Sequence, residues 1–257
     1  MSTRRALITN DDGIDSPGLA VLASAARRAG YEPMIVAPSW DSSGASASLS
    51  ATEADGRVLI EERSSTELGG PAMAIEAAPA FIVRAAMAEA FGQTPDVVLS
   101  GVNHGANLGH VVLHSGTVGA ALTAATYGLP SLAASLEAGD RWHWDTAATV
   151  LDTVLPWLDD LASTPCLNLN IPPVAPGRLR GIAAATLAPF GAVQSTITEA
   201  GAGWVRVRYQ PSAIDHQAGT DAVLLAEGYA TVTPLRGIDE GSFDGLEAAL
   251  VRQQPKD

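Results

Sequence analysis

The sequence predicts an α/β protein with a doubly wound, mostly parallel sheet, and three features of the chain support this. Its 257 residues are enough for one large α/β domain. Short apolar runs alternate with helix-length stretches up to residue 171, the order that builds a parallel sheet with helices on both faces. A Pro/Gly-rich stretch at 172–177 then indicates a linker. We therefore expect a core over 1–171 and an extension over 172–257 that packs on the core or on a partner subunit.

The elements of the core are predicted from apolar runs and from their start and stop signals. Strands are expected at Ala6–Thr9, Pro33–Ala37, Arg57–Glu62, Pro71–Ile75, Asp96–Ser100, Ser131–Ser135 and Cys166–Ile171. Helices are expected at Leu19–Ala29, Pro79–Phe91, Thr117–Tyr127 and Thr146–Leu161. Proline in the first turn of the second helix, and Gly128 with Pro130 after the third, are typical of helix boundaries.

The extension has a different pattern from the core. The alternation W-V-R-V-R-Y within Gly203–Tyr209 predicts a half-exposed antiparallel strand. A short strand is expected at Gly228–Pro234 and a terminal helix at Asp244–Arg252. We expect the extension to contribute a β-hairpin and this terminal helix.

Composition limits the classes of function. The net charge of −13 argues against binding to nucleic-acid duplexes or anionic membranes. No apolar run approaches the roughly 18 to 20 residues of a membrane span, and the N-terminal apolar run is too short for a signal peptide, so we expect a cytoplasmic protein. The single cysteine, Cys166, excludes an internal disulfide and a cysteine metal cage, and we expect it in the core.

Polar side chains follow three of the predicted strands. Asp11 and Asp12 come after the first strand, Ser43 after the second, and Asn103 after the Asp96–Ser100 strand. Ligands of open α/β sheets bind beyond the carboxyl ends of the strands. Adjacent carboxylates repel each other unless a cation lies between them. Two carboxylates, a hydroxyl and an amide form an oxygen ligand set suited to Mg²⁺, Mn²⁺ or Ca²⁺.

A second polar feature begins the predicted third helix. Ser115, Gly116 and Thr117 stand at its N-terminus, where free N–H groups and the helix dipole favour an anion such as phosphate. No lysine follows the glycines, so the segment is not a P-loop. A cation and backbone N–H groups would supply the local positive charge that this acidic chain needs for a phosphate substrate.

Four segments resemble the SurE family of survival-protein nucleotidases. They are ITNDDGIDSPGL at 8–19, VAPSWDSSGASASLS at 36–50, LSGVNHGANLGHVVLHSGTVGAAL at 99–122 and GTDAVLLAEGYATVTPL at 219–235, which together span nearly the whole chain. The resemblance implies a Rossmann-like core and a 5′/3′-nucleotidase that hydrolyses phosphate monoesters with one divalent cation per subunit, Mg²⁺ or Mn²⁺. It also implies a homodimer or homotetramer in which the C-terminal portion packs between subunits.

The family's functional residues carry over by position. Asp11 and Asp12 match its catalytic, metal-binding aspartates, and Ser43 and Asn103 match its serine and asparagine ligands. The resemblance implies that five residues surround the phosphate or support its pocket: Asn10, Asn107, Ser115, Gly116 and Thr117. The chain departs from the family pattern at Ser39-Trp40, at 77–83 and at His114, which bears on substrate choice.

Several alternatives stay open at this point. Adjacent aspartates favour direct attack by water, since haloacid-dehalogenase-type phosphatases, which form a phosphoaspartate, place theirs two apart. A catalytically silent nucleotide or phosphate binder would use the same site. A serine hydrolase is disfavoured because the sequence has no G-x-S-x-G elbow. The three histidines His104, His110 and His114 are either exposed or in contact with substrate. His114 is the strongest candidate for such a contact. Trp40 either packs its loop or stacks on a base.

Overall fold

A computed structural model of the chain describes residues 3–160, 166–189, 193–211 and 217–237. The strands within these residues are β1 (Arg5–Thr9), β2 (Glu32–Pro38), β3 (Glu53–Ala54), β4 (Arg57–Val58), β5 (Ile60–Ser65), β6 (Gly70–Ile75), β7 (Val97–His104), β8 (Ser131–Leu136), β9 (Cys166–Ile171), β10 (Ile182–Ala184), β11 (Val193–Gly201), β12 (Trp204–Pro211) and β13 (Ala230–Leu235). The α-helices are α1 (Pro17–Arg28), α2 (Pro79–Met87), α3 (Gly116–Thr126), α4 (Trp144–Val154), α5 (Trp157–Asp160) and α6 (Asp221–Ala226). Gly109–His114 and Pro176–Arg178 are 3₁₀ helices.

Nine strands form one sheet in the order β10-β13-β9-β8-β7-β1-β2-β6-β5. Neighbours from β9 through β6 run parallel, whereas β13 pairs antiparallel with β9 and β5 with β6. This confirms the predicted doubly wound, mostly parallel sheet. The chain order reverses between β1 and β7, because β2 and β6 lie on one side of β1 and β7, β8 and β9 on the other. In such sheets the ligand crevice opens at this reversal, beyond the strand ends.

Helices cover both faces of the sheet. Successive residues of β1 point to opposite faces, so Ile8 joins the core under α1 and α4 while Leu7 joins the core under α2 and α3. Leu22 of α1 and Ile82 of α2 are fully buried against these faces, and each such side chain stabilises the fold by about 1.5–3 kcal/mol. Cys166 is also fully buried, as predicted, and burial raises the pKa of its thiol to about 12.

The helix predicted at Thr146–Leu161 is interrupted in the structure, and its last residue lies outside the described residues. The structure has α4 end at Val154, and α5 begins at Trp157. Pro156 separates them because proline has no N–H to donate and its ring clashes with the preceding turn. The predicted helix Pro79–Phe91 is also too long, since α2 ends at Met87.

The strand predicted at Asp96–Ser100 is longer than expected. β7 continues to His104, with a register shift against β8 between Ser100 and Asn103. Gly101 permits this continuation, because a Cβ there would lie 2.2 Å from the carbonyl oxygen of Ala134. Asn103 and His104 are therefore at the end of a strand beside β1, and not in the loop to which the sequence assigned them.

Two strands that follow residue 172 join the main sheet, β13 beside β9 and β10 beside β13. β11 and β12 pair antiparallel as a separate hairpin whose Trp204 and Val205 are exposed. The division of the chain at residue 172 stays a prediction, and the helix predicted at Asp244–Arg252 lies outside the described residues. None of the helices in the described part of the chain has the length and apolar character needed to cross a membrane.

Candidate active site

The turn after β1 begins the candidate site. The buried side chain of Asn10 donates from Nδ2 to the carbonyl of Gly13 at 2.9 Å, which closes the turn over the two aspartates. Gly13 has a φ of 97°, and a Cβ there would lie 3.3 Å from the backbone of Trp40. Glycine is needed at this place because most side chains do not tolerate that φ. Asn10 thus acts in the structure through the shape of the turn.

Asp11 is buried against the N-terminus of α3, with 3% of its surface exposed. The hydroxyl of Thr117 donates to its Oδ1, and a Cβ on Gly116 would lie 2.8 Å from its Oδ2. Burial raises the pKa of Asp11, and the charge of Asp12 raises it further, against the hydrogen bond from Thr117. The carboxylate is therefore in a place where a positive charge would stabilise its ionised form.

Asp12 faces the end of β7. Its Oδ2 accepts a hydrogen bond from the backbone N–H of His104 at 3.1 Å and lies 3.2 Å from Nδ1 of the same residue. Burial raises the pKa of Asp12, and His104 opposes this rise. In the part of the chain that the structure describes, Oδ1 of Asp12 has no hydrogen-bond donor, so one oxygen is fixed by protein and the other is open to a ligand.

The loop after β2 reaches the same site. The N–H and hydroxyl of Ser42 donate to the backbone carbonyl of Asp11 at 2.7 and 3.2 Å. Ser43 donates its hydroxyl to Asp41 at 2.5 Å and its N–H at 2.9 Å, which lowers the pKa of Asp41. The charge of Asp41 in turn contributes to the raised pKa of Asp12. Asp41 is thus a third carboxylate beside the aspartate pair, and the sequence analysis missed it.

Asn103 precedes His104 at the end of β7. Its side-chain Nδ2 donates to the carbonyl of Gly105 at 2.8 Å. That bond orients the carboxamide, and its oxygen has no donor within the described residues. An oriented amide oxygen of this kind is a suitable ligand for a hard cation.

The N-terminus of α3 forms the other wall of the crevice. Ser115 is its N-cap, and its hydroxyl accepts a hydrogen bond from the N–H of Val118 at 3.1 Å. Thr117 is fully buried and is directed at Asp11. Of the three residues predicted to bind phosphate here, Thr117 contacts the aspartate, while Ser115 caps the helix and Gly116 packs on Asp11.

Asn107 is fixed by a group of buried polar side chains that the sequence analysis missed. Its N–H donates to Asn170 at 2.7 Å, its carbonyl accepts from Asn168 and Asn170 at 2.9 Å each, and its side-chain Nδ2 donates to Ser135 at 2.8 Å. The alternation L-N-L-N inside the apolar run of β9 was an available signal, because buried amides need partners.

Asp221 is a second missed residue, and it joins the segment after the hairpin to the 3₁₀ helix that precedes α3. It is fully buried at the start of α6 and accepts hydrogen bonds from the N–H groups of Gly109, Ala188 and Ala222 at 2.8, 2.9 and 2.8 Å. Gly109 begins the 3₁₀ helix that leads to Ser115. Asp221 therefore fixes the start of this segment.

The structure also locates the three histidines and Trp40, whose roles the sequence left open. His110 and His114 are exposed on the 3₁₀ helix, whereas His104 contacts Asp12. Trp40 has 40% of its surface exposed. The ring of His104 also lies edge-on to two tryptophans, Trp142 and Trp144, with centroids 4.8 and 5.1 Å away.

A cation at this site would need oxygen ligands of mixed type. Among the described residues there is no group of three or more His, Cys, Asp or Glu side chains that could hold a metal ion. The carboxylates of Asp11 and Asp12, with an oriented amide at Asn103 and a hydroxyl at Ser43, still have the donor chemistry that hard divalent cations prefer. The residues present therefore fit such a cation.

Comparisons with known proteins all give matches that are named SurE. The family model described as Survival protein SurE matches residues 6–191. The protein named 5′-nucleotidase SurE 1 of Burkholderia lata is 38% identical over 244 residues, 90% of each chain. The one named 5′-nucleotidase SurE of Xanthomonas campestris pv. campestris (strain B100) is 34% identical over 250 residues, 95% of this chain and 93% of that protein. The crystal structure of the SurE protein from Aquifex aeolicus superposes with a TM-score of 0.78 at 27% identity, covering 97% of this chain and all of the other.

Proposed function

The chain belongs to the Survival protein SurE family, and from this membership we propose that it is a metal-dependent phosphomonoesterase acting on nucleoside 5′- or 3′-monophosphates. Relatives named 5′-nucleotidase support the 5′ substrates, and the 3′ substrates are our extension from the family resemblance. The observation that carries the proposal is the pair Asp11 and Asp12, two neighbouring carboxylates whose pKa values are raised by burial at the end of β1.

The cofactor in this proposal is one divalent cation per subunit, Mg²⁺ or Mn²⁺. Asp11, Asp12, Ser43 and Asn103 would hold it. When bound, such a cation supplies the positive charge that attracts a phosphate oxygen and makes water a better nucleophile. The chain's own net charge of −13 makes this local positive charge necessary for an anionic substrate.

The side chains would divide the chemistry between them. The N-terminus of α3, at Ser115 and Gly116, and the side chain of Asn107 would orient the phosphate, since helix N-termini favour anions. Asp11 or Asp12 would accept a proton from the attacking water. The water oxygen forms the new bond to phosphorus, the ester P–O bond breaks, and the leaving oxygen takes up a proton. The products are a nucleoside and inorganic phosphate.

The first experiment measures phosphate release from 5′-AMP, 3′-AMP and p-nitrophenyl phosphate. Protein treated with EDTA should be inactive, and Mn²⁺ or Mg²⁺ should restore turnover. Asp12→Asn should abolish it, whereas Asp55→Asn, at an exposed turn without partners among the described residues, should not. Turnover that survives EDTA would contradict the metal requirement. A wild type that binds Mn²⁺ without turning over any of the substrates would favour the silent binder.

A second experiment separates attack by water from attack by an aspartate. Acid quenching of the enzyme during turnover of ³²P-labelled 5′-AMP should leave no label on protein when water attacks directly. A labelled, hydroxylamine-sensitive protein would instead establish a phosphoaspartate on Asp11 or Asp12.

Assembly as a homodimer or homotetramer is part of the proposal. Exposed apolar side chains on the described surface support it: Leu49, Leu113, Tyr127, Trp204 and Val205. Leu49, Leu113 and Tyr127 line one groove, and contiguous apolar surfaces are typical of subunit contacts. Light scattering coupled to size-exclusion chromatography should give a mass of two or four chains, and a monomer at micromolar concentration would contradict it.

A further inference from the structure

Three aromatic rings form a rigid group beside the aspartate pair. Trp142 and Trp144 are stacked, with centroids 5.6 Å apart and planes 18° from parallel. His104 lies edge-on to both, at 4.8 and 5.1 Å and nearly perpendicular. Edge-to-face and offset-stacked arrangements of this kind are the favoured geometries of aromatic pairs. The group therefore has one defined shape before any substrate arrives.

The two tryptophans are not equivalent. Trp144 is partly buried against the main core at the start of α4. Trp142 has one face covered by Trp144, and 39% of its surface is exposed. Trp142 is therefore the more exposed member of the stacked pair. An exposed aromatic ring that a second ring holds in place can serve as a stacking surface for a ligand.

This surface lies next to the reacting end of the site. The ring of His104 contacts Trp142 on one side and lies 3.2 Å from Asp12 Oδ2 on the other. Trp142 is therefore one imidazole ring away from the carboxylate that would hold the cation next to the phosphate.

We propose that Trp142 is the nucleobase platform of this protein, on which the base stacks while the phosphate occupies the crevice at Asp11 and Asp12. The proposal rests on the proposed nucleotidase function, which it deepens by naming how the base is recognised. Stacking tolerates every base because each has a π-face. The larger purines cover more of the indole than pyrimidines do, so purine nucleotides bind more tightly.

Trp40 is the rival platform, since 40% of its surface is exposed. Among the described residues it has no aromatic neighbour that would fix its ring, whereas Trp142 is supported by two. A ring that is already fixed loses less conformational entropy when a base stacks on it. This difference favours Trp142.

The test compares a nucleotide with the same phosphate on a sugar without a base. Wild type, Trp142→Ala, Trp142→Phe and Trp40→Ala are assayed with 5′-AMP, 5′-CMP and ribose 5-phosphate. Trp157→Ala, at a tryptophan exposed to a similar extent, 37%, on α5, is the matched control. Trp142→Ala should raise KM for 5′-AMP about tenfold or more, with a much smaller change in kcat. Trp142→Phe should recover most of the loss.

The outcomes separate this proposal from the proposed function. An equal effect of Trp142→Ala on 5′-AMP and ribose 5-phosphate would assign Trp142 a structural role and overturn the platform. An effect confined to Trp40→Ala would move the platform to that ring. If wild type hydrolyses 5′-AMP and ribose 5-phosphate with equal kcat/KM, the proposed phosphatase activity is supported and the base platform is overturned. If wild type turns over neither, calorimetric titration with 5′-AMP and ribose 5-phosphate tests the platform by affinity alone, and Trp142→Ala should weaken only the former.

Discussion

His104 contacts a single oxygen of Asp12, Oδ2, through two nitrogen atoms, its backbone N at 3.1 Å and its ring Nδ1 at 3.2 Å. The backbone contact depends only on the position of β7, so it persists when the side chain is changed. The ring contact fixes how the carboxylate is turned. Substitution of His104 therefore measures how much the orientation of the Asp12 carboxylate contributes to activity, while the carboxylate itself is kept.

His104→Ala should lower kcat about tenfold while the protein stays folded. A hydrogen bond to a charged group contributes about 1.5–3 kcal/mol, and each 1.36 kcal/mol in the barrier corresponds to tenfold in rate. The measurement is kcat with ribose 5-phosphate, which has no base and so isolates the effect on the phosphate end. His110→Ala, at an exposed histidine of the 3₁₀ helix, is the control. An unchanged kcat in His104→Ala would show that Asp12 is oriented without the ring.

Gly116→Ala should abolish most of the activity and should also lower stability, by about 1–3 kcal/mol. A Cβ on residue 116 would lie 2.8 Å from Oδ2 and 2.9 Å from Cβ of Asp11, so the aspartate must move. Misplacement of a catalytic group by about 1 Å can cost about 100-fold in rate. The matched control is Gly177→Ala, where a Cβ meets nothing within 4 Å. Activity of Gly116→Ala within threefold of wild type would contradict the importance of this close contact.

Asp221→Asn should lower thermal stability. The buried carboxylate accepts three backbone N–H groups, and its Oδ1 receives two of them. An amide offers one acceptor atom and places an NH₂ against one of these donors, at a cost of about 1–3 kcal/mol. In a chain of this size each kcal/mol lowers Tm by about 2–4 °C. Differential scanning fluorimetry checks this against Asp55→Asn, and a Tm equal to wild type would mean that the donors find other acceptors.

Part of this architecture could be predicted from residues close in sequence. The run Cys166–Ile171 gives β9 with the same bounds, because its four apolar residues indicate a buried strand. Adjacent carboxylates in the turn after β1 indicated a ligand site, and in the structure His104 contacts Asp12 and Thr117, at the start of α3, contacts Asp11. The position of the site could be predicted because ligands of open α/β sheets bind beyond the carboxyl ends of neighbouring strands.

The rest depends on contacts that have no local signal. Asp221 and Gly109 are 112 residues apart in the chain, and their contact exists only because the chain returns beside the 3₁₀ helix after the hairpin. His104 meets Trp142 because the register shift in β7 extends that strand by four residues beyond Ser100, next to the loop after β8. The periodicity of apolar residues predicts where a strand lies, but it does not predict a register shift between two strands.

The raised pKa of Asp11 gives a prediction on stability that is separate from activity. A carboxyl whose pKa is higher in the folded state than its ordinary value of 3.8 binds its proton more tightly when folded. Its contribution to stability is thus fully present below pH 3.8 and is lost as pH rises through the folded pKa. Without a cation the folded protein therefore loses stability as pH rises, and a neutral amide of the same shape would not show this loss.

Asp11→Asn should therefore unfold at a higher Tm than wild type at pH 7 in EDTA, although it should be inactive. The difference should shrink as pH falls through the raised pKa of folded Asp11, because the wild-type carboxyl then takes up a proton. Added Mn²⁺ should reverse the order, since a cation bound only by wild type stabilises its folded state by mass action. Asp55→Asn, which changes the same charge at an exposed turn, should follow wild type throughout. A metal-free Asp11→Asn that is less stable than wild type at pH 7 would mean that Thr117 and the N-terminus of α3 alone compensate the buried charge, and the site would then have no electrostatic need for a cation.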